Sequence, residues 1–62
     1  MTIYLINAET NKTIQTFEDV IAWGYNFVEY MNGGYRAKMY CNENEYFTDK
    51  EVIVEEIENN EQ

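Results

Sequence analysis

The chain of 62 residues has room for one small domain, and its formal net charge of −8 at pH 7 makes it strongly acidic. That charge argues against direct binding to nucleic acid or to an anionic membrane, because phosphates attract cationic surfaces. A single cysteine and the absence of histidine exclude an internal disulfide and leave few ligands for zinc, so we expect neither a metal nor a cofactor.

The first predicted elements are two short strands joined by a turn. Residues 2–8 are rich in β-branched and aromatic side chains, and residues 9–12 have the polar composition of a turn. Residues 13–15 then return as a second strand. The beginning of the chain therefore predicts a β-hairpin.

Apolar residues in the next segment recur with the period of an amphipathic helix. The apolar face of that helix would consist of Phe17, Val20, Ile21, Gly24, Phe27, Val28 and Met31. Trp23 and Tyr30 would lie together at one border of this face. Gly33 and Gly34 follow the segment and are typical of a helix stop. The spacing predicts one helix over about residues 17–31.

Further strands are predicted after this stop. Residues 35–41 alternate with period two, residues 46–47 would form a short returning strand, and residues 52–54 would form a last one. The predicted fold class is α+β, with one helix packed on a small antiparallel sheet in the order ββαββ(β). We expect residues 1–57 to form the domain and residues 58–62 to form an acidic, frayed tail.

The residue types needed for catalysis are poorly represented. With no serine and no histidine, the chain cannot form a Ser–His or a Cys–His pair. Cys41 falls on the apolar side of its predicted strand, where a thiol behaves as a small hydrophobic residue. The acidic turn at 42–45 lacks the glycine and the terminal glutamate of a calcium-binding loop. We therefore expect that the protein is not an enzyme.

The negative charge is concentrated in the last third of the chain. Residues 1–40 hold four acids and three bases, a net charge of −1, whereas residues 41–62 hold eight acids and one base, a net charge of −7. Such an uneven distribution steers positively charged partners. Two interpretations stay open: the carboxylates imitate the phosphates of DNA in a basic protein groove, or they serve solubility only.

Aromatic residues indicate an interface. A single helix can cover one face of the sheet, so the other face would leave Tyr4, Ile6, Tyr40 and Phe47 exposed. A homodimer formed through this face would complete a core that one short chain cannot complete alone. In the alternative interpretation, these side chains only pack against one another, because antiparallel sheets are commonly buried on one face.

These features favour a small acidic protein-binding module, similar in size and charge to phage inhibitors that act as DNA mimics on basic nucleic-acid enzymes. The alternative is an accessory or structural protein that acts as a homodimer or as a subunit of a larger assembly, with acidity serving solubility only. The predicted partner-binding residues are Glu43, Glu45, Asp49, Glu51, Tyr46, Trp23 and Tyr30. An unpaired thiol suits the cytoplasm. A residue composition typical of AT-rich genomes, with no proline, suggests a low-GC bacterium or its phage.

Overall fold

In the computed structural model, which describes residues 1–52, the chain forms six β-strands and no helix within those residues. The strands are β1 (Ile3–Asn7), β2 (Lys12–Phe17), β3 (Val20–Trp23), β4 (Phe27–Asn32), β5 (Tyr35–Tyr40) and β6 (Glu45–Thr48). The fold is therefore all-β, and the prediction of an α+β fold with a helix over 17–31 was wrong.

The strands form two three-stranded antiparallel sheets. The first sheet has the order β2-β1-β6, and the second has the order β3-β4-β5. The second sheet is a meander of consecutive strands, whereas β6 returns after it to pair with β1. The first sheet is thus completed only when a strand near residue 46 meets one near residue 5.

Two irregularities explain why the strands over 17–31 resemble a helix in sequence. Asp19 has a left-handed backbone with φ of 57°, which turns the chain between β2 and β3. A β-bulge lies between Val20 and Ala22, so one extra residue enters β3. As a result, Phe17, Val20 and Trp23 all pack on the core at a spacing of three residues. A broken two-residue alternation therefore imitates the helical period.

Gly33 and Gly34 join β4 to β5 instead of ending a helix. Their φ values are 60° and 91°, both in the region that favours glycine, as a two-residue hairpin turn of type I′ requires. Asn32 and Tyr35 pair directly on either side of the turn. The two glycines therefore set the register of the β4–β5 hairpin.

The other segments predicted as strands are extended in the structure. β1, β2, β5 and β6 overlap the predicted segments 2–8, 13–15, 35–41 and 46–47. The last predicted strand, at 52–54, lies outside the described residues except for Val52, which is not in a strand. The predicted domain boundary at residue 57 and the tail beyond it also lie outside the described residues.

Both sheets contribute to one apolar core. Its buried residues are Ile3, Leu5, Phe17, Val20, Val28 and Phe47. The ring of Phe17 lies 5.9 Å from that of Phe47 and 5.1 Å from that of Tyr30, measured between centroids. These aromatic contacts join β2 and β6 of the first sheet to β4 of the second. The core therefore depends on strands from all parts of the described chain.

The aromatic sheet face predicted from the sequence does not exist in that form. Phe47 is only 2% exposed because it packs into the core, and Ile6 is fully buried. Tyr4 is partly buried, and only Tyr40 of the four predicted residues is well exposed. For Phe47 the prediction failed because it assumed that a helix covers one face, whereas a second sheet shares the core that contains Phe47.

Candidate partner-binding surfaces

Three loops meet at one end of the molecule. The β5–β6 turn, residues 41–44, contacts the β1–β2 turn, where the Ala8 amide donates a hydrogen bond to the Asn44 carbonyl at 2.7 Å. The same β5–β6 turn contacts the β3–β4 loop, where the Cys41 amide donates to the Asn26 carbonyl at 3.2 Å. Backbone hydrogen bonds therefore hold the three loops together.

Two tyrosine rings stack at this end. Tyr25 belongs to the β3–β4 loop and Tyr46 to β6, and their ring centroids lie 5.7 Å apart with the planes only 9° from parallel. The Phe47 amide donates a hydrogen bond to the Tyr25 carbonyl at 3.0 Å, which fixes the loop against β6. Tyr25 is 73% exposed, so the ring face turned away from Tyr46 is open to solvent.

Carboxylates lie in the same loops. Glu43 is exposed in the β5–β6 turn, and Glu9 is exposed in the β1–β2 turn. The carboxylate of Glu45 accepts a hydrogen bond from the Asn42 amide at 2.9 Å, so it closes the turn as well as adding charge. Lys12, the first residue of β2, is a cation that directly follows the β1–β2 turn. We call the three glutamates and the two stacked tyrosines the acidic end.

The structure separates the acidic residues that the sequence grouped as one site. Asp49 and Glu51 are exposed, but they follow the far end of β6. Thr48 pairs with a residue near the beginning of β1, whereas Glu45 pairs with the last residue of β1. The four residues of β6 span about 13 Å, at roughly 3.3 Å per residue. Tyr46 therefore lies with the glutamates of the turn, and the other two acids lie apart.

The net charge of the last third also divides between two segments. Residues 41–52 hold four acids and one base, a net charge of −3. Residues 53–62 hold four acids and no base, a net charge of −4, and lie outside the described residues. The acidic end therefore accounts for only part of the charge that the sequence assigned to this region.

Trp23 and Tyr30, predicted as partner-binding residues, pack against the core. Both are partly buried, and the Tyr30 ring contacts that of Phe17. The sequence placed them at the border of a helix, but in the second sheet their strand positions turn them inward. Neither therefore contributes a freely exposed ring to the acidic end.

Tyr25 belongs to the acidic end but was not predicted. The helix assignment placed it within a helix, where it carried no special role. The neighbouring residues Gly24 and Asn26 are both common in loops, and a loop assignment here would have indicated an exposed ring. Gly24 also has a packing role, because a Cβ at this position would lie 2.6 Å from the Phe27 ring.

A second surface lies on the outer side of the β3-β4-β5 sheet. Residues directly paired across antiparallel strands share a face, which places Phe27, Glu29, Met31, Arg36, Lys38 and Tyr40 together. The Lys38 ammonium lies 4.9 Å from the centroid of the Phe27 ring and 5.3 Å from that of Tyr40. The Arg36 guanidinium lies 3.5 Å from the Glu29 carboxylate. Both cations therefore already have partners within this outer face.

Cys41 has the structural surroundings that the sequence indicated. It is partly buried and packs against the core, and its Sγ donates a hydrogen bond to the Glu45 carbonyl at 3.4 Å. Within residues 1–52 there is no cavity and no group of side chains suited to a metal ion. That part of the chain also contains no helix capable of crossing a membrane.

The comparisons with known proteins add no relative: no protein-family model, no curated protein and no solved structure matches the chain. Inference about function therefore starts from the two surfaces themselves. The acidic end combines loops joined by backbone hydrogen bonds, the exposed residues Glu9 and Glu43, and an open aromatic ring. The outer face combines exposed apolar side chains with two cations that are already paired.

Proposed function

We propose that this protein is a small acidic binding module that engages a positively charged surface of a protein partner through the acidic end. The observation that supports this most is the stacked Tyr25–Tyr46 pair, because backbone hydrogen bonds join the loop of Tyr25 to the turn that carries the exposed residue Glu43. Aromatic rings provide much of the affinity in protein interfaces, while carboxylates provide steering and specificity. The acidic end offers both to the same partner.

In the more specific form of this proposal, the protein is a DNA mimic. Its carboxylates would replace phosphates in the basic groove of a nucleic-acid enzyme, as a phage inhibitor of a bacterial host would do. The net charge of −8 supports this form. Each exposed charge pair contributes only about 0.2–1 kcal/mol, so mimicry requires an array of charges and not one residue.

Reversing the charge of Glu43 tests the proposed site. Binding of Glu43→Lys to a basic partner is expected to become severalfold weaker, mainly through slower association, with the melting temperature unchanged. Glu45 is unsuitable for this test, because its carboxylate closes the β5–β6 turn. The matched control is Glu18→Lys, which changes the charge equally at an exposed position between β2 and β3, away from the acidic end.

The measurement is capture from a bacterial lysate by the wild-type protein and both variants, at low and at high salt. A partner that wild type and Glu18→Lys retain at low salt, but that is lost with Glu43→Lys and also lost from wild type at high salt, supports the acidic end. If both variants lose the captured partner equally, binding depends only on the total charge of the protein and not on the acidic end. If the captured partner binds DNA and this protein simultaneously, the DNA-mimic form is rejected and the binding module remains.

A second candidate function is that of a homodimer or subunit of a larger assembly, with acidity serving solubility only. Three exposed apolar side chains of the second sheet favour it: Ile21 is 51%, Met31 39% and Tyr40 61% exposed. We expect sedimentation to show association at micromolar or higher concentration, weakened by Ile21→Lys. A 7.4 kDa monomer at millimolar concentration would rule this candidate out.

A further inference from the structure

The acidic end contains a feature that general charge complementarity does not require, namely an open aromatic stack. We propose that the Tyr25–Tyr46 pair is a platform for an arginine side chain of the partner, with the guanidinium group stacked on the outer face of Tyr25. This inference rests on the proposed binding function and names the chemical group that the module recognises. It also requires that the site prefer arginine to lysine.

The geometry of the two rings favours a flat cation. The planes are 9° from parallel, and Tyr25 is 73% exposed, so the stack presents one broad face to solvent. A guanidinium group is planar and weakly hydrated, and it stacks on aromatic faces, whereas an ammonium group is a compact and strongly hydrated charge. A flat and open ring face therefore discriminates between the two side chains.

The platform is held in place before any partner arrives. The Tyr25 carbonyl accepts a hydrogen bond from the Phe47 amide at 3.0 Å, and the next residue, Asn26, accepts one from the Cys41 amide at 3.2 Å. Tyr46 supports the Tyr25 ring from beneath as part of β6. Because the loop and the ring are already ordered, little conformational entropy is lost on binding.

Charge complementarity selects a cation as the occupant. The turn that contacts the Tyr25 loop carries the exposed carboxylate of Glu43, and a stacked guanidinium still has N–H groups free to donate to a carboxylate. Elsewhere in the same protein, Lys38 lies over the rings of Phe27 and Tyr40. Within residues 1–52, no corresponding cation lies over the Tyr25–Tyr46 stack, so that ring face is available to a partner.

Two peptides of equal length and charge test the proposal, one with six Gly-Arg repeats and one with six Gly-Lys repeats. The 62-residue protein is expected to bind the arginine peptide about two- to fivefold more tightly, because an exposed contact between a cation and an aromatic ring contributes that much affinity. Tyr25→Leu keeps an apolar side chain but removes the aromatic face, so it should make the two affinities equal. Calorimetry measures the affinities, and circular dichroism confirms that each variant is folded.

Tyr35→Leu is the matched control. Tyr35 is 79% exposed and begins β5 next to the Gly33-Gly34 turn, so its loss removes an equally exposed ring outside the acidic end. This variant should retain the preference for arginine. A preference that survives Tyr25→Leu, or one that Tyr35→Leu abolishes equally, would overturn the platform.

The same titrations separate this inference from the function on which it rests. Equal affinities of the two peptides for the wild-type protein, weakened by salt and by Glu43→Lys, would overturn the arginine platform and leave the acidic module intact. If neither peptide binds, the platform is overturned, and the capture experiment then decides the binding function alone. Tight binding of the arginine peptide that Tyr25→Leu weakens more than it weakens binding of the lysine peptide would support both the arginine platform and the acidic binding module.

Discussion

Replacing Val28 with aspartate is expected to unfold the protein. Val28 lies in the central strand of the second sheet and is fully buried. The carboxylate introduced there would therefore have no water and no cationic partner among the core residues. Burying an unpaired charge costs several kcal/mol, whereas the total stability of a chain of this length is roughly 3–9 kcal/mol. Thermal denaturation followed by circular dichroism should show no cooperative transition.

Ile21→Asp is the informative control for this substitution. A helix over 17–31 would place Ile21 and Val28 on the same buried face, and both substitutions would then unfold the protein. In the sheet, Ile21 lies at the bulge in β3 and is 51% exposed, so its replacement should lower the melting temperature only slightly. Equal loss of structure in both variants would contradict the β3–β4 arrangement.

Truncating Phe47 to alanine is expected to remove about 3–5 kcal/mol of stability, as for large aromatic residues in other protein cores. The ring of Phe47 is 2% exposed and packs edge-on against that of Phe17. Its loss would leave a cavity at the contact between β6 and the rest of the core. Denaturant unfolding at equilibrium measures the change in the free energy of unfolding.

Tyr40→Ala provides the comparison. The sequence placed Tyr40 and Phe47 on the same exposed sheet face, where both truncations would cost little stability and would weaken self-association. In the structure Tyr40 is 61% exposed, so its truncation should change the unfolding free energy far less than that of Phe47. A small effect of Phe47→Ala on stability would show that β6 does not close the core.

The sequence predicted strands correctly where apolar and polar residues alternate regularly along one segment. The alternation in residues 35–41 predicted a strand that the structure contains as β5, with Ala37 and Met39 less exposed than their neighbours. Tyr35 is an exception, since it was expected to face the core but is 79% exposed. It adjoins the hairpin turn, where the sheet ends and leaves its side chain without neighbours to cover it.

The candidate site was predicted only in part. Glu43 and Tyr46 were named from the sequence and lie at the acidic end, but Asp49 and Glu51 follow the far end of β6. Glu45 was named for its charge alone, although its carboxylate also accepts a backbone hydrogen bond within the turn. Tyr25 was not predicted, because its exposure depends on a loop that packs against a strand about 20 residues later.

The amino-acid sequence alone determined the charge, the absence of serine and histidine, and the positions of the strands with regular alternation. Only the tertiary structure decided that residues 17–31 belong to strands, that Phe47 is buried and that Tyr25 stacks on Tyr46. The reason is that periodicity reflects neighbouring residues, and the bulge in β3 interrupts it. The pairing of β1 with β6 joins residues about 40 positions apart, which no local pattern encodes.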